Sequence, residues 1–506
     1  MAPRSYTTSE RRRLRALAEA MNHAGSYTEW MSLAGEHDAL SGAREWKAEE
    51  DNQLFDATDI RRRHDRLVRA IHARDAQDLL FSLNEGIHGN ISGMGNPKLY
   101  GVARLGTKNL IADYLSAIDD ALEVIADANE ASIPFADKLD FFHRASRCYG
   151  RSALLLSGGG GMIYFHHGVV DALLEQQLLP PVLSGSSAGS WMCAQLGAMT
   201  DAELKGYFAK KRYTNQTTAS STEYMLRMGR TSATEEATRQ LTEVIGSFLD
   251  DITFAEAFEH TGRNINISIA SADKHHRARL LNAITSPNVT LRSACRASSA
   301  IPNVFDPAIL EAKDRFGRVG PYLETQRWID GAFSDDLPMK RLSRLYGVNH
   351  FIVSQINLMS TIAPFVRPDP KSGREGVLYQ ASQMFFTAMR NGSKLMHDSA
   401  LPIFAEHAQT ALGTFHDIFD QDYAGDITIA ARFHRRSLDH VLFNFSHDGE
   451  ISALIDEGRR ATWSRIEQIR NATTISRTLD RTLEQLEVQA GRHQPALARA
   501  SAHHGG

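Results

Sequence analysis

The 506-residue chain has only three cysteines, Cys148, Cys193 and Cys295. They form no CxxC pair and suit a reducing compartment better than a disulfide scaffold. No window approaches the roughly 18 to 20 continuous apolar residues of a spanning helix. Residues 1–21 carry an arginine cluster but neither an apolar core nor a small-residue cleavage site, so a secretory signal is not expected. Charge of one sign is also missing: 56 Lys and Arg face 60 Asp and Glu, a formal net charge of -4. Nothing global therefore points to nucleic acid. There is no Gly-Lys-Ser/Thr of a phosphate-binding loop and no internal repeat.

What is present is a change of pattern along the chain. Up to about residue 145 the periodicity is helical, as over Ile60–His72 and Leu110–Ala126. The glycines and Asn-Pro of 88–101 mark a loop between helices. From Ser152 apolar runs alternate with helical stretches: Ala153–Leu156, Val182–Ser184, Ile265–Ala270, Arg279–Ile284, Trp328–Asp330 and Phe351–Ile356. That alternation predicts an α/β fold with a largely parallel sheet covered by helices. After about 360 the chain reads as helical and irregular, with an amphipathic stretch at Val377–Met396 and a long helix over Gly458–Leu486. Four segments follow: a helical N-terminal domain (1–147), a catalytic domain (148–360), a helical C-terminal extension (361–490) and a disordered tail (491–506).

Three constellations carry chemistry. A buried strand runs into Gly158, Gly159, Gly160 and Gly161 and then a helix. Glycines let the backbone turn sharply and aim its N–H groups at a ligand, and the helix start favours an anion. That anion is a phosphate or the oxyanion of a tetrahedral intermediate; a tight turn without ligand is the plain alternative. The dinucleotide fingerprint is broken, because Ile163 stands where a glycine is needed and the next strand ends in Ser184 rather than an acid. Second, strand 182–184 enters Gly185-Ser186-Ser187-Ala188-Gly189 and a helix, the strand-turn-helix setting of a nucleophile elbow. Gly185 and Gly189 leave room for the turn that presents Ser187; the plain alternative is a serine-capped helix start. Third, an apolar strand delivers Asp330, followed by Gly331 and Ala332, in isolation an ordinary Asp-Gly turn. Placed at carboxyl ends of strands in one sheet, the three supply an oxyanion hole, a nucleophile and a base, the minimum set for acyl transfer.

At these residues the sequence resembles the patatin-like phospholipase family, which carries a glycine-rich oxyanion loop, a G-x-S-x-G nucleophile and a D-G-G/A motif in this order. SYTEW, LYGVARLGTKNLIADYL, ACRASSAIPNVFDP, DGAFSDDLPMKRL, GVNHFIVSQINL and RRATWSRIEQIRN extend the likeness to lipid-droplet triacylglycerol lipases with a helical N-terminal domain. The resemblance implies a patatin-like, mostly parallel central sheet flanked by helices, and a Ser187-Asp330 dyad without histidine. It further implies cleavage of fatty-acyl esters of glycerolipids in lipid catabolism, with no cofactor and no metal. The implied setting is cytoplasmic, with peripheral contact to a membrane or lipid droplet. His166 and Gly168 match a recurrent H-x-G, read as helix packing. Met162 and Ile163 depart from the basic residue and glycine many relatives carry after the glycine run, which leaves the choice of oxyanion donors open.

Phe165, Trp191, Met192, Leu196, Met384 and Phe385 are candidates for an acyl channel, with ordinary core as the alternative. Val377–Met396 and the basic N-terminal segment are candidates for docking at a lipid surface. The rival hydrolase reading is an α/β-hydrolase esterase whose triad needs a histidine after Asp330, such as His350 or His397. A catalytically silent lipid-surface or nucleotide-binding protein is the rival outside enzymes, and relatives of this type also act as lysophospholipid acyltransferases.

Overall fold

The structure, a computed structural model, describes residues 6–50, 53–209, 231–272, 278–302, 304–357, 424–431 and 448–502. Val377–Met396, with Met384, Phe385 and His397, lies outside them. The chain divides into two compact units: 1–152 with 347–350 and 466–506, and 153–346 with 351–465.

The first unit is helical. Its helices start where the sequence supplies caps: Thr7 and Glu10 form a reciprocal capping box before Thr8–His23, and Ser26, Asp56 and Asp75 cap the helices that follow them. The apolar faces of Ala57–Ala73, Asn109–Asp127 and Phe135–Tyr149 close one core around Ile60, Ile118, Leu122 and Phe142. Into it the helix Ile466–Ala502 sends Ile475, Leu479 and Leu486. That helix runs through Ala502, into the stretch expected to be disordered. Polar anchors tie the loop 96–108 down. Asp38 accepts the N–H groups of Arg104 and Leu105 at 2.7 and 2.9 Å, and buried Lys108 donates to the carbonyls of Trp46 and Glu49 while lying 4.2 Å from the Trp46 ring centroid.

The second unit is built on a seven-stranded sheet in the order β4-β3-β2-β1-β8-β9, with β7 also on β3. The strands are β1 (Arg151–Leu156), β2 (Val182–Gly185), β3 (Asn264–Ser271), β4 (Ala278–Leu281), β7 (Trp328–Asp330), β8 (Val348–Gln355) and β9 (Ile427–Ala430). Ala153 to Leu156, Val182 and Leu183 are wholly buried, as unbroken apolar runs are when helices cover both faces of a parallel sheet. The expected strands are all present within a few residues. Two features were not expected. β9 pairs in parallel with β8 although its four residues fall in the segment read as helical extension. A hairpin of β5 (Leu310–Lys313) and β6 (Val319–Tyr322) turns at Gly317 (φ 78°), outside the main sheet.

β7 also differs in direction from the expectation of a parallel strand: it is antiparallel to β3. β3 is longer than β2, so with Ile267 opposite Gly185 its last residues overhang the carboxyl edge. β7 pairs with that overhang, Asp330 opposite Ile269, and so arrives at the same edge from outside. Glycine permits a second close approach: a Cβ on Gly168 would meet the Ile455 carbonyl at 2.0 Å, and one on Gly458 the Phe165 carbonyl at 2.2 Å. The helices Ile163–Glu175 and Asp448–Trp463 thus cross almost backbone to backbone, which accounts for the glycine of the H-x-G.

Candidate active site

Ser187 sits between β2 and the helix Ala188–Ala198 with φ 48° and ψ -121°. A non-glycine residue holds such a backbone only when its surroundings over-determine it, at a cost on the order of 1–3 kcal/mol. Here they do. The Ser187 N–H donates to Ser298 Oγ at 2.9 Å, and Ser298 Oγ donates to the Ser268 carbonyl at 2.7 Å. Ser190 returns both its N–H and its hydroxyl to the Ser187 carbonyl, at 2.9 and 2.6 Å. The two elbow glycines have no room for side chains. A Cβ on Gly185 would lie 2.3 Å from the Gly189 carbonyl oxygen, and one on Gly189 would lie 2.0 Å from the Leu156 carbonyl oxygen.

Asp330 closes the other side. Its side chain accepts the Ala332 N–H at 2.9 Å, and the Ser187 side chain stands close enough to stabilise its carboxylate. It is 1% exposed, and burial in the sheet edge raises its pKa to about 7, against the lowering by those two donors; the nearby Asp336 carboxyl adds to the rise. Gly331 must be glycine, since a Cβ there would stand 2.2 Å from the Ser268 carbonyl oxygen.

The glycine loop lies against both. A Cβ on Gly158 would lie 2.9 Å from Ala332 Cβ and 3.2 Å from Ser187 Cβ. Its N–H donates to Asp336 Oδ1 at 2.9 Å. Gly159 is half-buried, Gly160 (φ 54°) is exposed, and Gly161 is buried beneath Met162 and Ile163, which enter the core. Gly159 also packs tightly, a Cβ there falling 2.6 Å from the Ile356 carbonyl oxygen. The candidate residues from all three motifs therefore converge on one edge.

The histidines take other places. His166 is fully buried, with Nε2 at 2.9 Å from the Ser157 carbonyl and Nδ1 at 2.7 Å from Ser354 Oγ. A carbonyl requires a donor, so Nε2 carries the proton and Nδ1 accepts from Ser354. Burial pushes its pKa down to about 4 and keeps the ring neutral. It ties the end of β1 to β8. His167 is buried among Tyr164, Tyr207 and Phe208. His350, third in β8, has Nδ1 3.0 Å from Ser152 Oγ. Of the acyl-channel candidates, Phe165, Met192 and Leu196 are wholly buried core, while half-buried Trp191 donates to Ser299 Oγ at 2.8 Å and packs on Phe248.

Sequence reasoning passed over Asp336, Ser186 and Ser298. Asp336 had one local signal: an acidic residue directly before Leu337-Pro338 where the chain turns back into apolar core.

Comparison with known proteins gives these positions a context. The family model described as patatin-like phospholipase matches residues 154–342, and one described as a domain of unknown function, DUF3336, matches residues 6–147. A triacylglycerol lipase of Arabidopsis thaliana is 32% identical over 91% of this chain and 57% of its own length. Patatin-like phospholipase domain-containing proteins of Cryptococcus neoformans and Pyricularia oryzae are 30% and 29% identical, over 92% and 93% of this chain and 54% and 63% of theirs. The chain thus spans little more than half the length of the first of these relatives.

Proposed function

The chain belongs to the patatin-like phospholipase family, and on that premise we propose that it is a serine acyl hydrolase of glycerolipids working through a Ser187-Asp330 dyad. The observation that carries the proposal is the meeting of the strained Ser187 elbow and the buried Asp330 carboxyl at one sheet edge, where burial, against the lowering by Ser187, raises the Asp330 pKa to about 7. A normal aspartate, near 3.9, is a poor base for serine; one raised to neutrality is matched to the task.

In the first step Ser187 Oγ attacks the ester carbonyl as its proton passes to Asp330. The oxyanion is held by the N–H groups of Gly159 and Gly160, because that of Gly158 is committed to Asp336. Each such donor is typically worth about 3–4 kcal/mol. Collapse expels the alkoxide, which takes the proton from Asp330 and leaves an acyl-serine. Asp330 then takes a proton from water as the hydroxide oxygen attacks the acyl carbon. The fatty acid departs and the proton returns to Ser187. Gly161, buried, serves the turn into the helix. The reading includes the lipid substrate, a peripheral encounter with a membrane or droplet surface, and a cytoplasmic setting. It is supported by the lipase name of the Arabidopsis thaliana relative.

The test compares the purified protein on emulsified triacylglycerol, phosphatidylcholine and lysophosphatidylcholine, with Ser187→Ala as blank, alongside labelling by a serine-directed fluorophosphonate. We expect fatty acid release from at least one lipid and labelling at Ser187, both lost in Ser187→Ala. Labelling or release that survives the substitution overturns the assignment.

A further inference from the structure

We propose that Asp336 is a positioning residue that locks the glycine loop onto the nucleophile elbow. This deepens the acyl-hydrolase reading above and rests on it. Asp336 lies six positions after Asp330, is 1% exposed, and draws two separate segments to one carboxylate oxygen. Oδ1 accepts the Gly158 N–H, at the exit of β1, at 2.9 Å and also the hydroxyl of Ser186, the residue before the nucleophile. The loop and the elbow thus share one acceptor.

Two consequences follow from that sharing. An oxyanion hole works because its donors are fixed before charge develops. A four-glycine run has little intrinsic rigidity, since glycine samples more backbone conformations than any other residue. Fixing Gly158 by a charge-assisted bond on one side, and by its packing on Ala332 and Ser187 on the other, immobilises the run at the point from which Gly159 and Gly160 project. The second consequence is electrostatic. A carboxylate at Asp336 disfavours a second negative charge at Asp330 and so keeps the base strong. The groups facing Asp336 are Gly158, Ser186, Asn357 and the carboxyls of Asp330 and Asp335; burial raises Asp336 itself to about 6, so it ionises before Asp330.

The experiment measures kcat, KM and the pH profile of Asp336→Ala, Asp336→Asn and Ser187→Ala on a soluble short-chain ester, with thermal melts of each. For Asp336→Ala we expect kcat to fall about 10- to 100-fold with KM little changed, as for a misplaced rather than missing catalytic group. Asparagine keeps an acceptor for the two donors, so Asp336→Asn recovers most of kcat, while the acid limb of kcat/KM moves to lower pH because the charge beside Asp330 is gone. A merely structural role moves the melting temperature but not that limb. Wild-type kcat in Asp336→Ala, with an unmoved limb in Asp336→Asn, overturns the proposal. If Asp336→Ala does not fold, the near-isosteric Asp336→Asn decides by its pH limb alone. Activity persisting in Ser187→Ala overturns the hydrolase reading instead, so the two failures are distinguishable.

Discussion

Buried charge is handled in opposite ways in the two units. In the helical unit Lys108 is 1% exposed, yet two carbonyls and an aromatic face receive it, and Asp38 is met by two backbone N–H groups. Lys138 likewise donates to the carbonyls of Ala126 and Ala128. These groups close helix ends and loops and are met by carbonyls or N–H groups, although burial still lowers the Lys138 pKa. At the sheet edge Asp330 is as buried, but its donors are one backbone N–H and the serine it serves, and a second carboxyl stands nearby. Its charge is left under-satisfied, which is what raises its pKa. A fold uses answered charges as fasteners and an under-answered one as a base.

That contrast can be broken or sharpened by substitution, in descending order of effect. Asp330→Asn should cost about 10²- to 10⁴-fold in kcat/KM on any ester, the usual range for a lost general base. An Asp330→Asn enzyme within tenfold of wild type would erase the distinction. Lys108→Met should leave the Trp46 and Glu49 carbonyls without their lysine and lower unfolding free energy by about 2 kcal/mol, measured by denaturant melts, with kcat per folded molecule unchanged. The stability of Asp330→Asn should move the other way. Asp330 and Asp336 are both raised, so in the folded state they hold protons that the unfolded chain releases from about pH 4 upward. Their contribution is present at low pH and lost as pH rises through about 6 to 7. Asp330→Asn should therefore flatten the fall in melting temperature between pH 4 and 8 and stabilise the protein at pH 8 by about 1–3 kcal/mol. The smallest effect belongs to Arg481→Ala, which removes an exposed ion pair with Glu123 in the helical unit and should change stability by about 0.5 kcal/mol or less.

How much of this was legible in the sequence follows the range of the interactions. Ser187, Gly185 and Gly189 could be read because the elbow is a local device, five residues with a strand before and a helix after. Asp330 was legible by its place at a strand end, but the direction of β7 was not, because it depends on how far β3 overhangs β2. Strand β9 escaped notice as four residues with no alternation long enough to register. The long helix expected over Gly458–Leu486 is broken at Ser464-Arg465 into Asp448–Trp463 and Ile466–Ala502, and the place of the second in the N-terminal unit was not legible, since nothing local links Ile475 and Leu479 to Ile118. Asp336 and Ser298 were hidden for the same reason: Asp336 meets Gly158 across 178 positions and Ser298 meets Ser187 across 111.

The central claim is that a buried aspartate raised to about 7 is the base for Ser187. Its most direct test is the pH dependence of kcat/KM for wild-type protein on a soluble short-chain ester, where interfacial binding plays no part. Activity should rise with pH and level off through an acid limb near 7, in a protein that remains folded throughout. An acid limb near 4, the value of an ordinary aspartate, would contradict it.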